Sequence, residues 1–404
     1  MLSPKIGVYA GKGSSHSWLW FVDLFERLGF YNQTLLDEKG FQNGALQGLD
    51  FLAVSGGDTI TMAEGLGSIG AVRLKDFIRS GGVYLGSCAG AYLPLNSSKE
   101  HLHHFNFVPA RITNLIKEIP PAVRLPEKSI TPYGCSYLYH PVREEVELAP
   151  SGIPPFDLET PIRAPLYGGP GMLPSSDSEV LARYKAFTPK TLFLVDELLA
   201  RQTLIGKAAV IREPFGDGVF YLFGPHFEHP HFSSANQCLA RVMAWEQGHR
   251  LKGGLGSNPE KEEEGVLQGP ELKRWLRDLK REISHSRLVA NGLETLDVRW
   301  LIGNKIYEPL KIRFFLEAIW GRLNRLEKKK VLSFPETEKT YLIEKALELT
   351  QVLRALKTKL DDGQETLAEA EGVFKTLQHL TRGFLTVYFF SKIKDSLIAG
   401  GPHQ

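Results

Sequence analysis

The chain has 404 residues, of which 43% are apolar and 23% charged, with a formal net charge of +2. That length allows two domains with full cores, and the composition is that of an ordinary globular protein. The near-neutral charge excludes electrostatically driven binding to nucleic acid or to a membrane surface. The three cysteines, with no CxxC pair, exclude a disulfide framework and a cysteine zinc site.

Residues 5–10, KIGVYA, predict a first strand, closed by Gly11-Lys12-Gly13-Ser14-Ser15. No basic start leads from here into a long apolar core, and no run of about 18 apolar residues appears anywhere. Neither a signal peptide nor a membrane span is therefore expected, and the cytoplasm is the default. Ser17 to Leu28 predicts a helix whose apolar face is Trp18, Leu19, Phe21, Val22, Leu24, Phe25 and Leu28. Residues 50–54, DFLAV, predict a strand stopped by Ser55-Gly56-Gly57-Asp58. Residues 59–79 predict a helix with Met62, Leu66, Ile69, Val72, Leu74, Phe77 and Ile78 as apolar positions, weakened in its middle by Gly65, Gly67 and Gly70. A short strand at Val83-Tyr84-Leu85 follows. Strands alternating with helices in this way predict a parallel sheet with helices on both faces.

From about residue 105 to 215 the pattern changes. Short β-like runs at 145–148, 162–167, 179–184 and 208–211 lie between Pro and Gly turns and predict an antiparallel or mixed extension of the sheet. Gly218 to Phe223, GVFYLF, is a strong strand, and 234–247 a closing helix. Residues 251–270 are glycine-rich and acidic and read as a linker between a domain at 1–250 and a second at 271–404. That second domain shows four apolar stripes at helical spacing. They begin at Leu272, Leu310, Leu342 and Leu367, and together predict an all-α bundle. Lys328-Lys329-Lys330 reads as a solvated helix end.

The stretch with the most chemistry is GGVYLGSCAGAYL, residues 81–93. A buried strand runs into Gly86-Ser87-Cys88-Ala89-Gly90, and a helix, kept short by Pro94, resumes after it. Strand, tight small-residue turn and helix is the layout of a nucleophile elbow, and a helix N-terminus beside sulfur favours thiolate. The same residues also suit a small cysteine merely packed in a turn. A nucleophilic cysteine needs a base, and the base an orienting group. The segment after GVFYLF supplies both: in Gly224-Pro225-His226-Phe227-Glu228-His229-Pro230, residues two apart project the same way if extended. In a parallel sheet both segments open on one crevice, past the strand ends. Gly56-Gly57-Asp58 is either a tight turn or an oxyanion loop. Tyr167-Gly168-Gly169 either lines a substrate pocket or only turns the chain.

These motifs carry a resemblance. The Cys88 elbow with His226-x-Glu228 resembles class I glutamine amidotransferases. KIGVYAGKGSS, SGGDT, YLGSCAGAYL, LYGGPGML and GPHFEHP together are similar to the N-terminal domain of some biotin–protein ligases, over roughly residues 4–248. The resemblance implies a flavodoxin-like, mostly parallel sheet with helices on both faces. It makes Cys88 the nucleophile, His226 the base and Glu228 the orienting acid, with backbone N–H groups near Gly57 and Ala89 forming an oxyanion hole. No ligase catalytic half of the GRGRxGR kind is visible, nor an ammonia-consuming synthase domain, so the fold carries over better than the reaction.

Other candidates are weaker. His226, His229, His231 and Glu228 together resemble a metal cluster, but their spacing suits no single helix face and Pro230 interrupts it. No metal and no cofactor is expected. Ser87 is a second conceivable nucleophile, but Cys88 holds the position before Ala-Gly. His101, His103 and His104 read as a polar loop, and Cys135 and Cys238 as packing residues. Two functions follow: thiol-dependent hydrolysis or transfer at a small amide substrate, or a catalytically silent small-molecule-binding or scaffold module whose C-terminal helices meet a protein partner.

Overall fold

The computed structural model describes residues 3–120, 135, 137–175, 178–250, 264–335 and 338–399. It divides into two compact units, one of Met1–Phe30 with Leu36–Ser257, the other of Tyr31–Leu35 with Asn258–Gln404. Residues 251–263, the larger part of the expected linker, lie outside the described residues.

The chain begins with β1 (Ile6–Tyr9), α1 (Trp18–Arg27), β2 (Gln33–Leu36), of which only Leu36 falls in the first unit, α2 (Glu38–Gln42), β3 (Phe51–Val54), α3 (Thr59–Arg79), β4 (Val83–Ser87) and the short α4 (Ala89–Tyr92). It continues with β5 (Arg111–Ile112), β6 (Val142–Pro150), β7 (Ile162–Leu166), β8 (Met172–Leu173), β9 (Glu179–Phe187), β10 (Leu192–Phe193), α5 (Glu197–Leu204), β11 (Ala208–Phe215), β12 (Gly218–Phe223) and α6 (Ser233–Arg250). The strands form one mixed sheet in the order β10-β6-β9-β11-β12-β4-β3-β1. Its functional half is parallel: β1 pairs with β3, β3 with β4, and β4 with β12. These strands are buried along their whole length, as the unbroken apolar runs require when helices cover both faces. β12 is where direction changes. It runs parallel to β4 on one side and antiparallel to β11 on the other, joined to β11 by the tight turn Gly216-Asp217. Beyond β11 the pairing with β9, β6 and β7 is antiparallel, as the Pro- and Gly-punctuated sequence predicts.

α3 differs from its expected face. Met62, Leu66, Leu74, Phe77 and Ile78 are buried, but Ile69 and Val72 are 59% and 56% exposed. Gly67 adopts φ 59, ψ −170 inside the helix, so the turns before and after it do not share one continuous stripe.

The second unit contains β13 (Glu264–Gln268), α7 (Gly269–Leu293), β14 (Trp300–Ile302), β15 (Lys305–Tyr307), α8 (Pro309–Leu326), β16 (Val331–Pro335), α9 (Glu338–Asp361) and α10 (Leu367–Ala399). The four helices pack in a ring, α7 against α8 and α9, and α10 against the same two. The stripes supply its core: Leu272, Leu279, Ile319, Leu323, Leu349, Leu353, Leu377 and Phe384 are buried. Leu310, Phe314 and Leu367, near the starts of their helices, are exposed instead. The last part of the expected linker is regular structure. Glu264–Gln268 pairs with Val331–Pro335 and buries Leu267 against Leu332 and Phe334 on the same small sheet, and α7 begins at Gly269. No helix of the described residues is long and apolar enough to cross a membrane.

The close packing behind the elbow gives a stability prediction. A Cβ on Gly90 would lie 1.9 Å from the Val54 carbonyl oxygen, which is backbone and cannot move aside cheaply, whereas a Cβ on Gly248, in α6, meets nothing within 4 Å. Gly90→Ala is expected to cost about 3 kcal/mol or more, and Gly248→Ala to stabilise by roughly 0.5–1 kcal/mol. Denaturant midpoints of the two variants against wild type check this. A Gly90→Ala protein as stable as wild type would contradict the packing.

Candidate active site

Register places the site. In the parallel sheet Val54 of β3 pairs with Gly86 of β4, and Ser87 pairs with Phe223 of β12. The residues that follow these three strand ends, Ser55 to Gly57, Cys88, and Gly224 to Glu228, therefore emerge at one edge of the sheet. Cys88 stands at φ 52, ψ −111, a conformation side chains rarely adopt, immediately before α4. Such a backbone costs on the order of 1–3 kcal/mol and is held by its surroundings. Here the Cys88 N–H donates to Phe223 O at 3.0 Å and the Gly90 N–H to Ser55 O at 3.1 Å, tying the turn to both neighbouring strands. The Cys88 sulfur lies 3.7 Å from Tyr167 O and is only slightly exposed.

His226 and Glu228 are buried, and His226 Nδ1 is 2.7 Å from Glu228 Oε1. The Cys88 sulfur also acts electrostatically on the ring. The three expected residues thus lie at one edge of the sheet, with His226 and Glu228 in direct contact. Glu228 Oε1 accepts two further hydrogen bonds, from Ser55 Oγ at 2.7 Å and Ser87 Oγ at 2.6 Å. Ser87, the rival nucleophile, is fully buried and its hydroxyl is committed to this carboxylate.

The electrostatics follow from burial set against partners. Burial alone would lower the His226 pKa, but the Glu228 carboxylate and the Cys88 sulfur reverse that and push it up to about 9. Burial would raise the Glu228 pKa, and the His226 charge with the hydrogen bonds from His226 and Ser87 holds it below the ordinary carboxylate value. His229 is opposite in sense: burial and the neighbouring His226 charge depress it to about 4, leaving it neutral. Burial pushes the Cys135 thiol up, and the Cys238 thiol up to about 12.

Gly56 lies against the imidazole, since a Cβ there would stand 2.7 Å from His226 Cε1. Gly57 is packed on Gly13 O, and the flanking groups are engaged: Ser15 N–H donates to Gly56 O and Asp58 N–H to Gly13 O. Neither the Gly57 N–H nor the Ala89 N–H has an acceptor among the described residues. Of the Tyr167-Gly168-Gly169 segment, Tyr167 reaches the site, its ring centroid 5.8 Å from that of His226. Gly168 and Gly169 pass close to His140 and Gly224 O, where a side chain does not fit, and Gly168 O accepts from Tyr92 OH. His101 pairs with Glu64 at 3.5 Å in a 3-10 turn, apart from this set. Among the described residues no three His, Cys, Asp or Glu side chains are grouped so as to hold a metal ion.

Several site residues escape the sequence reading. Trp20, omitted from the apolar face of α1, is 92% buried because its other side meets the site: its ring centroid is 5.4 Å from that of His226 and 4.4 Å from that of His229. Ser55, read as part of the diglycine turn, and Ser87, weighed only as a rival nucleophile, carry no signal in the sequence that their hydroxyls meet Glu228.

Two outcomes follow. Because φ 52 suits glycine, Cys88→Gly should unfold at a higher temperature than Cys88→Ala, by about 1 kcal/mol. Equal melting would mean the turn is unstrained. The His226 contribution to stability is fully present below 6.5 and lost as pH rises through about 9, while that of Glu228 is present above 4.5 and lost as pH falls through its lowered value. The melting temperature should therefore decline from pH 6.5 to about 9, and His226→Gln should flatten that decline. A wild-type curve already flat over this range counts against the buried pair.

Comparison with known proteins gives the following. Residues 5–101 match the family described as Biotin-protein ligase, N terminal. No curated protein matches. Among solved structures, a β-galactosidase from Bacillus circulans sp. alkalophilus aligns at 12% identity and a TM-score of 0.33, covering 66% of this chain and 34% of its own. The chain thus spans about a third of the length of that relative. A cytoplasmic protein from Salmonella typhimurium LT2 aligns at 11% identity and a TM-score of 0.37, covering 59% of this chain and 98% of its own. A glutamine amidotransferase from Thermotoga maritima aligns at 10% identity and a TM-score of 0.34, covering 61% and 85%. The likeness to that family is thus confined to residues 5–101, which include β1 to β4 and the Cys88 turn.

Proposed function

We propose that the N-terminal unit is a thiol-dependent amidohydrolase or amidotransferase-like enzyme acting on a small amide substrate through Cys88, His226 and Glu228. The observation that carries this reading is a cysteine on a strained elbow, at the same sheet edge as a buried imidazole whose Nδ1 is held by a buried carboxylate. Strain of this kind is kept where the surroundings enforce it, and it clusters at reactive sites.

In this reading the sulfur acts as thiolate beside the His226 imidazolium. It attacks the amide carbonyl carbon, a C–S bond forms, and the carbonyl electrons move to oxygen. The Gly57 and Ala89 N–H groups, which have no acceptor of their own among the described residues, donate to that oxyanion. As the tetrahedral species collapses the C–N bond breaks, and the proton on the His226 ring nitrogen facing the sulfur passes to the leaving nitrogen. Neutral His226 then takes a proton from water, whose oxygen attacks the thioester, and collapse returns the thiolate and releases the acid. The sum is amide plus water to acid plus amine, with an acceptor amine replacing water in a transfer. Glu228 stays ionised throughout and stabilises the imidazolium. The aromatic side of the cleft, buried Trp20 with half-buried His229 and Tyr167, limits water near the thioester. A cysteine left as free thiol belongs in a reducing compartment, which accords with the cytoplasm.

Iodoacetamide at mildly acid pH tests the reading. Cys88 should be modified well before Cys135 and Cys238, whose thiols burial keeps protonated. Equal rates for all three would remove the nucleophile and favour a silent binding module. Glu228→Gln should move the pH profile of Cys88 alkylation to higher pH. It should also lower hydrolysis of a test amide such as glutamine by roughly 10³–10⁴, with circular dichroism showing that the variant is folded.

A further inference from the structure

The Glu228 carboxylate is bound in an unusual way. Three donors, Ser55 Oγ at 2.7 Å, Ser87 Oγ at 2.6 Å and His226 Nδ1 at 2.7 Å, converge on Oε1, while Oε2 has no hydrogen-bond partner among the described residues. All of these groups are buried, Glu228 and Ser87 without any exposed surface. An ionised carboxylate offers about four lone-pair directions over two oxygens. Buried hydroxyls that only needed partners would be better served by sharing both. Crowding three donors onto one oxygen is favourable only when that oxygen carries negative charge, since hydrogen bonds to charged groups are roughly twice as strong as neutral ones.

The crowding has a structural cause. β3 and β4 are parallel neighbours in register Val54↔Gly86, so the next residues on each, Ser55 and Ser87, stand side by side and present two hydroxyls to one point. Behind Ser55 the Ser17 hydroxyl lies 2.9 Å away, itself 3.3 Å from Ser15 Oγ, which continues the polar row away from the carboxylate.

We propose that Ser55 and Ser87 are positioning residues: a two-hydroxyl clamp that fixes Glu228 as an anion in the single orientation in which Oε1 meets His226 Nδ1. The proposal rests on the reading in which Cys88, His226 and Glu228 work together, and gives two motif serines a role in holding the carboxylate. The charged and titratable groups facing Glu228 are His226 and His229 on its own segment and Cys88 on the elbow after β4. The clamp supplies what burial denies the carboxylate, donors in place of water. Without it, protonation of Glu228 becomes easier, and the imidazolium loses its counter-charge at a higher pH on the acid side.

The test uses Ser55→Ala, Ser87→Ala and the double variant in the full chain, with two readouts. The first is the rate of Cys88 alkylation against pH. The second is the titration of the His226 ring by NMR with labelled histidine, which does not depend on sulfur reactivity. In both, the acid-side step should move to higher pH, by about one unit for each hydroxyl removed. Ser55→Thr, which keeps the hydroxyl, should leave it near the wild-type position. An acid-side step unmoved in folded alanine variants, even with a lower melting temperature, would make the serines packing residues and overturn the clamp. Should Ser87→Ala fail to fold, Ser55→Ala against Ser55→Thr decides alone. Wild-type Cys88 alkylating no faster than Cys135 would sink the nucleophile reading instead, and the His226 titration would still judge the clamp.

Discussion

A carboxylate with no solvent-exposed surface sets the terms for the rest of this domain. Moving an ionised group out of water costs several kcal/mol even after the protein relaxes. Glu228 meets that cost with a cation and two hydroxyls brought from three separate strand ends. Each has to arrive at the same point, so the lateral register of β3, β4 and β12 cannot slip by one residue without turning Ser55, Ser87 or His226 away. The strained Cys88 backbone is kept in place by bonds to Phe223 and Ser55, at the ends of the two neighbouring strands. Carboxylate, imidazole, thiol and sheet register are therefore one coupled arrangement.

The parallel half of the sheet also explains why the antiparallel extension does not disturb the site. β12 takes both kinds of partner, with the elbow strand on one side and β11 on the other. The chain returning from the extension contributes Tyr167, by its carbonyl and its ring, and the Pro165 carbonyl of β7, which accepts from the His226 N–H at 2.9 Å. Everything else in the set comes from strand ends of the parallel core and from α1.

Much of this was legible in the residues, for identifiable reasons. The elbow and the His-x-Glu segment announce themselves because small residues or a Pro-flanked turn follow unbroken apolar runs, a local signal. Long amphipathic helices such as α9 were legible from spacing alone. What depends on neighbours across the sheet was not. Ser55 and Ser87 look like ordinary turn serines until β3 and β4 lie side by side. Trp20 falls between the apolar stripe positions of α1 and is buried by the cleft, not by the core. Ile69 and Val72 fit a helical stripe that Gly67 interrupts, and a single glycine does not declare whether it will break a helix or merely weaken it. Glu264–Gln268 looked like linker because its apolar content is two residues, one of which is buried only through pairing with Val331–Pro335.

The glycines around the elbow have a consequence for how such a domain diversifies. At Gly57, Gly86, Gly90 and Gly169 a methyl group would strike a neighbouring backbone atom, at 1.7 to 2.5 Å. Main chain there rests directly on main chain, and no side chain can be introduced to reshape the cleft from that side. The opposite wall is built from Trp20, Tyr167 and His229, large rings carried by α1, the segment after β7 and the segment after β12. Inheritance is thereby split: the frame that bears the reactive atoms is closed to variation, and descendants of this scaffold can acquire new tastes only by exchanging rings on one wall.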